Sequence, residues 1–363
     1  MPADASRSPR APADLAFTSY LRIVAIAGVV MIHVMAGLAT NQAAHGSIRW
    51  WIANILDSGS AWAVPVFLMV SGALVLDPEP PRTPGEFYRR RLQRVAIPLI
   101  VAHVVYFAER PLLLDQRLTT RIVIRDLLNV DVAPHLYFFW IIAGLYVIAP
   151  LLRSFIAARP RREGAWLGVA AMAWMLLVTL SVRWLAATGG ASTPWAPPML
   201  TLFLPYVGYF VLGFALRDVV LSRALAVAVA CAFVLAEAAQ ILVSTGALTG
   251  RAGGLLSGGY QGIPVAIASV ALFLLARRLI GPRSLLASPG WAIWARRIGD
   301  LTLGVFVFHL VVKLVLQRTV LAGLRPAQIL PDALLLFAAV LAATFLLCAI
   351  IARVPLLRRS IGL

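Results

Sequence analysis

A chain of 363 residues in which 61% are hydrophobic and only 13% charged, with a mean hydropathy of +0.88, is not a soluble globular protein but a polytopic membrane protein. The net charge of +17 would suit a nucleic-acid binder, yet the basic residues sit in short loops between apolar segments, so the charge reports membrane topology. Cys231 and Cys348 both fall inside apolar segments, which predicts neither a disulfide nor a metal site.

Residues 1–18 are polar, rich in Pro and Ala, and carry Arg7 and Arg10. The apolar run that follows is longer than a signal-peptide core, so it reads as an anchor behind a cytoplasmic tail. Windows long enough to cross about 30 Å of hydrocarbon predict an all-α fold of ten spans, at 19–40, 51–76, 95–114, 135–152, 164–186, 198–216, 222–245, 262–280, 301–320 and 332–352. The transmembrane domain is thus 19–352, and 353–363 is a second cytoplasmic tail. The second span carries Asp57-Ser58-Gly59-Ser60, which predicts a break or a strong tilt there. With the N-terminus inside, 22 of the 32 basic residues fall on the inner side, and the positive-inside rule then places both termini in the cytoplasm of a multi-pass inner-membrane protein. The outer loops 187–198 and 245–264 are nearly uncharged and rich in Gly, Ser and Thr, with Trp195 and Tyr260. Aromatic faces and neutral hydrogen-bonding groups suit a sugar, although Trp and Tyr near a span end more often serve as interface anchors.

The first span holds two cations, Arg22 and His33. Eleven residues is three helical turns plus about 20°, so both project from one face, about 16 Å apart along the axis. An ionisable group deep in hydrocarbon costs roughly 2.5–3.5 kcal/mol on insertion scales, so it needs a partner or a task. Arg22 can act as a snorkelling anchor. His33 lies too deep for that, and neutral imidazole can take a proton from a hydroxyl or attack an acyl carbon.

Before the third span comes FYRRRLQRVAIP, residues 87–98, in which Arg91 and Arg94 share a helical face and Arg90 joins from four residues before Arg94. This is either the strongest inner-side charge block or a cradle for phosphates, which guanidinium forks bind bidentately.

Six stretches then fall in order: Arg22 and His33 with ten residues between; VPVFLMVSG at 64–72; Arg91-x-x-Arg94 followed by Pro98; HLYFFWIIAGLYVIAPLL at 135–152; LPYVGYFVLGFAL at 204–216; and LGVFVFHLVV at 303–312. Together they resemble the membrane acyltransferase family 3, and within it the surface-polysaccharide O-acetyltransferases, over nearly the whole chain. The resemblance implies transfer of an acyl group, usually acetyl, from cytoplasmic acyl-coenzyme A to a sugar hydroxyl of an exported or lipid-linked glycan. It puts catalysis on His33 with Arg22 beside it, and coenzyme A phosphates on Arg91 and Arg94. Neither a metal nor a nucleic acid is implied. Many members carry an acid three residues before the first arginine, where this chain has Ser19, so another group must orient Arg22 here.

His309 matches a histidine of the family's C-terminal motif and reads otherwise as helix packing. Glu237 is the only acid deep inside a span and is a candidate partner for an arginine or histidine. His135, at an outer helix start, either touches acceptor or caps the helix. His103 reads as packed, His45 as a loop residue, and Glu109-Arg110 as an interfacial ion pair. A competing reading is a secondary transporter, which ten spans with a broken helix would suit, although transporters usually place several acids near the midplane. A catalytically idle, sugar-binding relative is a third.

Overall fold

The computed structural model describes residues 15–78, 83–188 and 199–363, and among them every regular element is helical. In lipid each backbone N–H and C=O must be satisfied within the chain, and helices do this locally. The helices are α1 (Ala16–Ala39), α2 (Ile48–Ser58), α3 (Ala63–Val75), α4 (Pro84–Leu113), α5 (Thr120–Leu128), α6 (Tyr137–Ala158), α7 (Arg161–Ala187), α8 (Val207–Leu216), α9 (Arg223–Ser244), α10 (Gly250–Leu256), α11 (Ile263–Leu279), α12 (Pro289–Arg318) and α13 (Leu330–Arg353).

Among the described residues, eight segments are long and apolar enough to cross a membrane: α1, α2 with α3, α4, α6, α7, α9, α12 and α13. The two other predicted spans are shorter helices. One is α8 with the 3-10 turn before it, Leu204–Leu216, and the other is α11 with 17 residues. Arg7, Arg10 and Arg82, and the outer loop with Ser192 and Trp195, lie outside the described residues. The Tyr260 ring stacks 6.3 Å from that of Tyr137.

The predicted break in the second span separates α2 from α3 at residues 59–62. Side chains meet the backbone groups it frees, since the Trp62 indole N–H donates to the Gly59 carbonyl at 2.7 Å and the Ser60 hydroxyl to Leu56 at 2.7 Å. The end of α3 is buried, and its last carbonyls are met by arginines from other helices. Arg153 donates to Val75 at 2.8 Å and Arg217 to Ala73 at 2.6 Å, while Arg217 also pairs with Asp77 at 3.1 Å. Arg217, only 2% exposed, therefore caps a helix as well as marking topology.

At the centre stands α1, packed on α2, α3, α11, α12 and α13. Beside it, α3 and α8 approach until their backbones touch. A Cβ on Gly72 would lie 1.7 Å from the Phe210 carbonyl oxygen, and one on Gly213 1.9 Å from that of Met69. Membrane helices associate through such small-residue contacts because lipid removes the hydrophobic drive between them. Gly72→Val or Gly213→Val should therefore cost at least about 3 kcal/mol, the upper range for overpacking, and abolish the monodisperse peak of the detergent-solubilised protein. Gly323→Ala, where a Cβ meets open space, should leave melting within about 0.5 kcal/mol of wild type.

Candidate functional site: a histidine cluster between two cavities

Helix α1 carries Arg22 and His33, and α12 answers both. Arg22 Nη1 lies 3.2 Å from Asp300 Oδ1, and the His33 and His309 rings are 5.2 Å apart. Both pairs ascend together, so α1 and α12 run parallel. Arg22 Nη2 also donates to the Ser19 hydroxyl at 3.3 Å. The carboxylate that orients Arg22 thus comes from α12, and Gly299 lets it close in: a Cβ there would meet Arg22 Nη2 at 3.2 Å.

Three of the five histidines gather at the other end of this pairing. His135 is 6.0 Å from His33 and 4.8 Å from His309, ring to ring. His135 and His309 are 2% and 1% exposed. His309 Nδ1 faces the carbonyls of Val305 at 3.1 Å and Phe306 at 2.9 Å. Two acceptors there fix the proton on Nδ1 and leave Nε2 as a lone-pair acceptor, which is buried and without a hydrogen-bond partner among the described residues. Both ring nitrogens of His135 are in the same condition. Buried polar groups are otherwise nearly always satisfied, so three orphaned nitrogens at one place point to a visiting partner. Lys313, the chain's single lysine, donates from Nζ to the His33 carbonyl and sets a cation beside the cluster.

On the Arg22 side lies a cavity of about 280 Å³, lined among others by Arg22, Arg91, Arg94, Arg296, Tyr146 and Phe306. Arg91 is held between aromatic faces, 5.8 Å from the Phe87 ring centroid and 5.5 Å from that of Tyr146. Arg90 is exposed and does not line it. The C-terminal segment is no free tail. Ile361 is fully buried, its side chain beside Gly304, and Gly362, at φ 80°, lies against the Arg94 carbonyl, so residues 361–363 form part of the cavity wall. His33 does not line this cavity. The Phe306 ring, 5.2 Å from His135, stands between.

On the His33 side a second cavity, of about 370 Å³, is bounded by Tyr106, Glu109, Arg110, Gln116, Asp131 and Leu310, among others. Here the expected Glu109–Arg110 pair is corrected: Arg110 turns to Asp126, which also accepts from Arg125 Nε at 2.8 Å. These two hydrogen bonds, Arg125 first, hold the Asp126 carboxyl below the usual carboxylate range.

Glu237 lies away from the cluster, at the break between α2 and α3, where a Cβ on Gly59 would meet its Oε2 at 3.2 Å. Among the described residues it pairs with no arginine or histidine. His103 is packed, with Nδ1 2.7 Å from the Leu99 carbonyl, and the His45 ring lies tilted against Trp50, 4.4 Å between centroids. Sequence reasoning missed Asp300, Arg296, Lys313 and Phe306. Only Asp300 left a trace, as an acid one turn before the 303–312 motif.

Compared with known families, residues 15–353 match the model of acyltransferase family 3, described as an acyltransferase domain. Searches of curated proteins and of solved structures found no match.

Two outcomes test this geometry. Asp300→Asn should lower stability by about 1 kcal/mol, a charge-assisted hydrogen bond discounted for exposure, and Ser19→Asp should recover most of it in the Asp300→Asn background, read by thermal unfolding in nanodiscs. Because the folded Asp126 value is depressed, its stabilisation is present above the ordinary aspartate value of about 4 and is lost as pH falls through the folded value. Protection factors over residues 126–133, in which the intrinsic slowing of exchange by acid is divided out, should accordingly fall on acidification in wild type and show no such step in Asp126→Asn.

Proposed function

This chain belongs to acyltransferase family 3 and is a multi-pass membrane protein, and from that premise we propose that it is an inner-membrane O-acyltransferase. In this reading an acetyl group passes from cytoplasmic acyl-coenzyme A to a sugar hydroxyl of an exported or lipid-linked glycan. The observation that carries the reading is the order along the bundle: guanidinium-lined cavity, buried histidine cluster, second cavity.

Each part has a chemical task. Arg91 and Arg94, with Arg296, hold the phosphates of the donor by charge-assisted hydrogen bonds. The thioester end points toward the aromatic wall at Phe306. His33 removes the proton of the acceptor hydroxyl, whose oxygen attacks the thioester carbonyl. The new C–O bond replaces the C–S bond, and the departing thiolate takes the proton back from the imidazolium. Arg22, fixed by Asp300, lines the donor cavity and adds its positive charge to the guanidinium wall that holds the donor. Dry packing around His135 and His309 keeps water from the thioester. His309, its Nδ1 fixed by backbone carbonyls, and Lys313 are positioning residues for His33.

The secondary-transporter reading needs carboxylates at the centre, and Glu237 lies elsewhere. The test uses purified protein in liposomes with labelled acetyl-coenzyme A and a panel of de-O-acylated glycans. His33→Ala should lower transfer by 10³-fold or more while donor binding persists, within the scale of losses for a general base or nucleophile. Arg91→Ala with Arg94→Ala should raise the donor KM roughly 100-fold with a smaller change in kcat. Wild-type transfer by a folded His33→Ala protein would overturn the assignment. Ion-driven solute flux without acyl-coenzyme A would favour a transporter.

A further inference from the structure

A hydroxyl that loses its proton at His33 while the donor fills the guanidinium-lined cavity must arrive from the opposite side of the histidine cluster. The cavity of about 370 Å³ stands there, within the size range of small-molecule sites. Its floor is Tyr106 and Leu310. The Tyr106 ring lies 5.0 Å from that of His135, so the partition between cavity and cluster is one aromatic ring thick. Behind that ring are the orphaned nitrogens of His135 and His309.

The walls have an unusual charge for this protein. In a chain of net charge +17, the residues lining this cavity include two acids, Glu109 and Asp131, with Gln116. The one arginine in the wall is already engaged. Arg110 pairs with Asp126 and donates from Nη2 to the carbonyls of Asp131 and Val132, both at 3.2 Å, so it is a strut that holds the wall. Glu109 and Asp131 form no ion pair within 4 Å among the described residues. Carboxylates of this kind are acceptor-only groups with several lone-pair sites, suited to adjacent hydroxyls and hostile to phosphate or uronate. The Tyr106 and Leu310 floor offers an apolar surface to the C–H face of a sugar ring.

We propose that this cavity is the acceptor site, and that it takes a neutral, polyhydroxylated sugar residue through hydrogen bonds to Glu109 and Asp131. The inference rests on the acyltransferase reading above. Tyr106, whose hydroxyl donates to the Val307 carbonyl at 2.9 Å, is the ring a bound sugar displaces to reach the histidines.

The experiment follows transfer from labelled acetyl-coenzyme A to the source organism's own envelope glycan, chemically de-O-acylated, with KM measured separately for glycan and for donor. Glu109→Gln and Asp131→Asn should each raise the glycan KM about tenfold, as expected for losing a charge-assisted hydrogen bond, while the donor KM stays within twofold. Unchanged glycan KM in both variants would overturn this docking site and leave the acyltransferase reading standing. A wild-type protein that binds acetyl-coenzyme A without transferring to the glycan would overturn the acceptor class named here. One that does not bind acetyl-coenzyme A would overturn the parent reading. A second measurement is independent of substitutions that disturb folding: in a Cys231→Ser background, Pro134→Cys at the cavity rim is labelled after membrane insertion with a bulky, impermeant maleimide. Labelling should block transfer, and glycan present beforehand should protect. Full transfer by labelled protein would overturn the site.

Discussion

A guanidinium placed one-third of the way along a helix that crosses hydrocarbon must be met by a carboxylate, and in this protein that requirement fixes the register of the two helices that matter. Arg22 finds Asp300 across the α1–α12 contact, and with that pair set, parallel packing brings His309 to His33 three turns further on. A slip of one turn along either helix would separate both pairs at once. The chemistry of the cluster therefore depends on an ion pair about 16 Å away.

Around that register the rest of the bundle is built to exclude water and to hold carbonyls. Loss of helical hydrogen bonds at the 59–62 break and at the end of α3 is met by Trp62, Ser60, Arg153 and Arg217. Such residues resist being read as functional because they are buried and polar, yet each has its partner in the backbone. At His135 and His309 three buried ring nitrogens of one cluster have no hydrogen-bond partner among the described residues, and that concentration distinguishes them from single orphaned atoms such as Trp140 Nε1.

Much of this was legible in the sequence, and the reasons are physical. Hydrophobic windows located the helices, Gly59 and its polar neighbours located the break, and the eleven-residue spacing put Arg22 and His33 on one face. The shared-face argument for Arg91 and Arg94 also held, since both line one cavity. What periodicity cannot carry is which helix faces which. Asp300 and Arg296 sit in the first half of α12 in sequence that reads as ordinary topology charge, and only packing brings Asp300 to Arg22 and Arg296 into the cavity that Arg91 lines. Glu109 next to Arg110 invited pairing by adjacency, but neighbouring residues on a helix point about 100° apart, and Arg110 was drawn to Asp126 on α5 instead. The C-terminal residues 361–363 look like a loose end by composition. The full burial of Ile361 beside Gly304 is a tertiary fact that no local rule supplies.

The two cavities do not join, and the proposed reaction gives that separation a purpose. A donor that stays in the cytoplasm and an acceptor beyond the membrane must share one reactive centre, but an open path between them would leak ions and expose the thioester to water. Phe306 on one side of His135, 5.2 Å away, and Tyr106 on the other, 5.0 Å away, close the path with a single aromatic ring each. Turning either ring means leaving a packed rotamer, each being only 3% exposed, and for Tyr106 also breaking its hydrogen bond to the Val307 carbonyl. The binding energy of each substrate can then be spent on turning the ring on its own side, so that the histidines are reached from both ends only when both substrates are in place. A bundle so closed at rest is what a transferase that must not become a hydrolase or a channel requires.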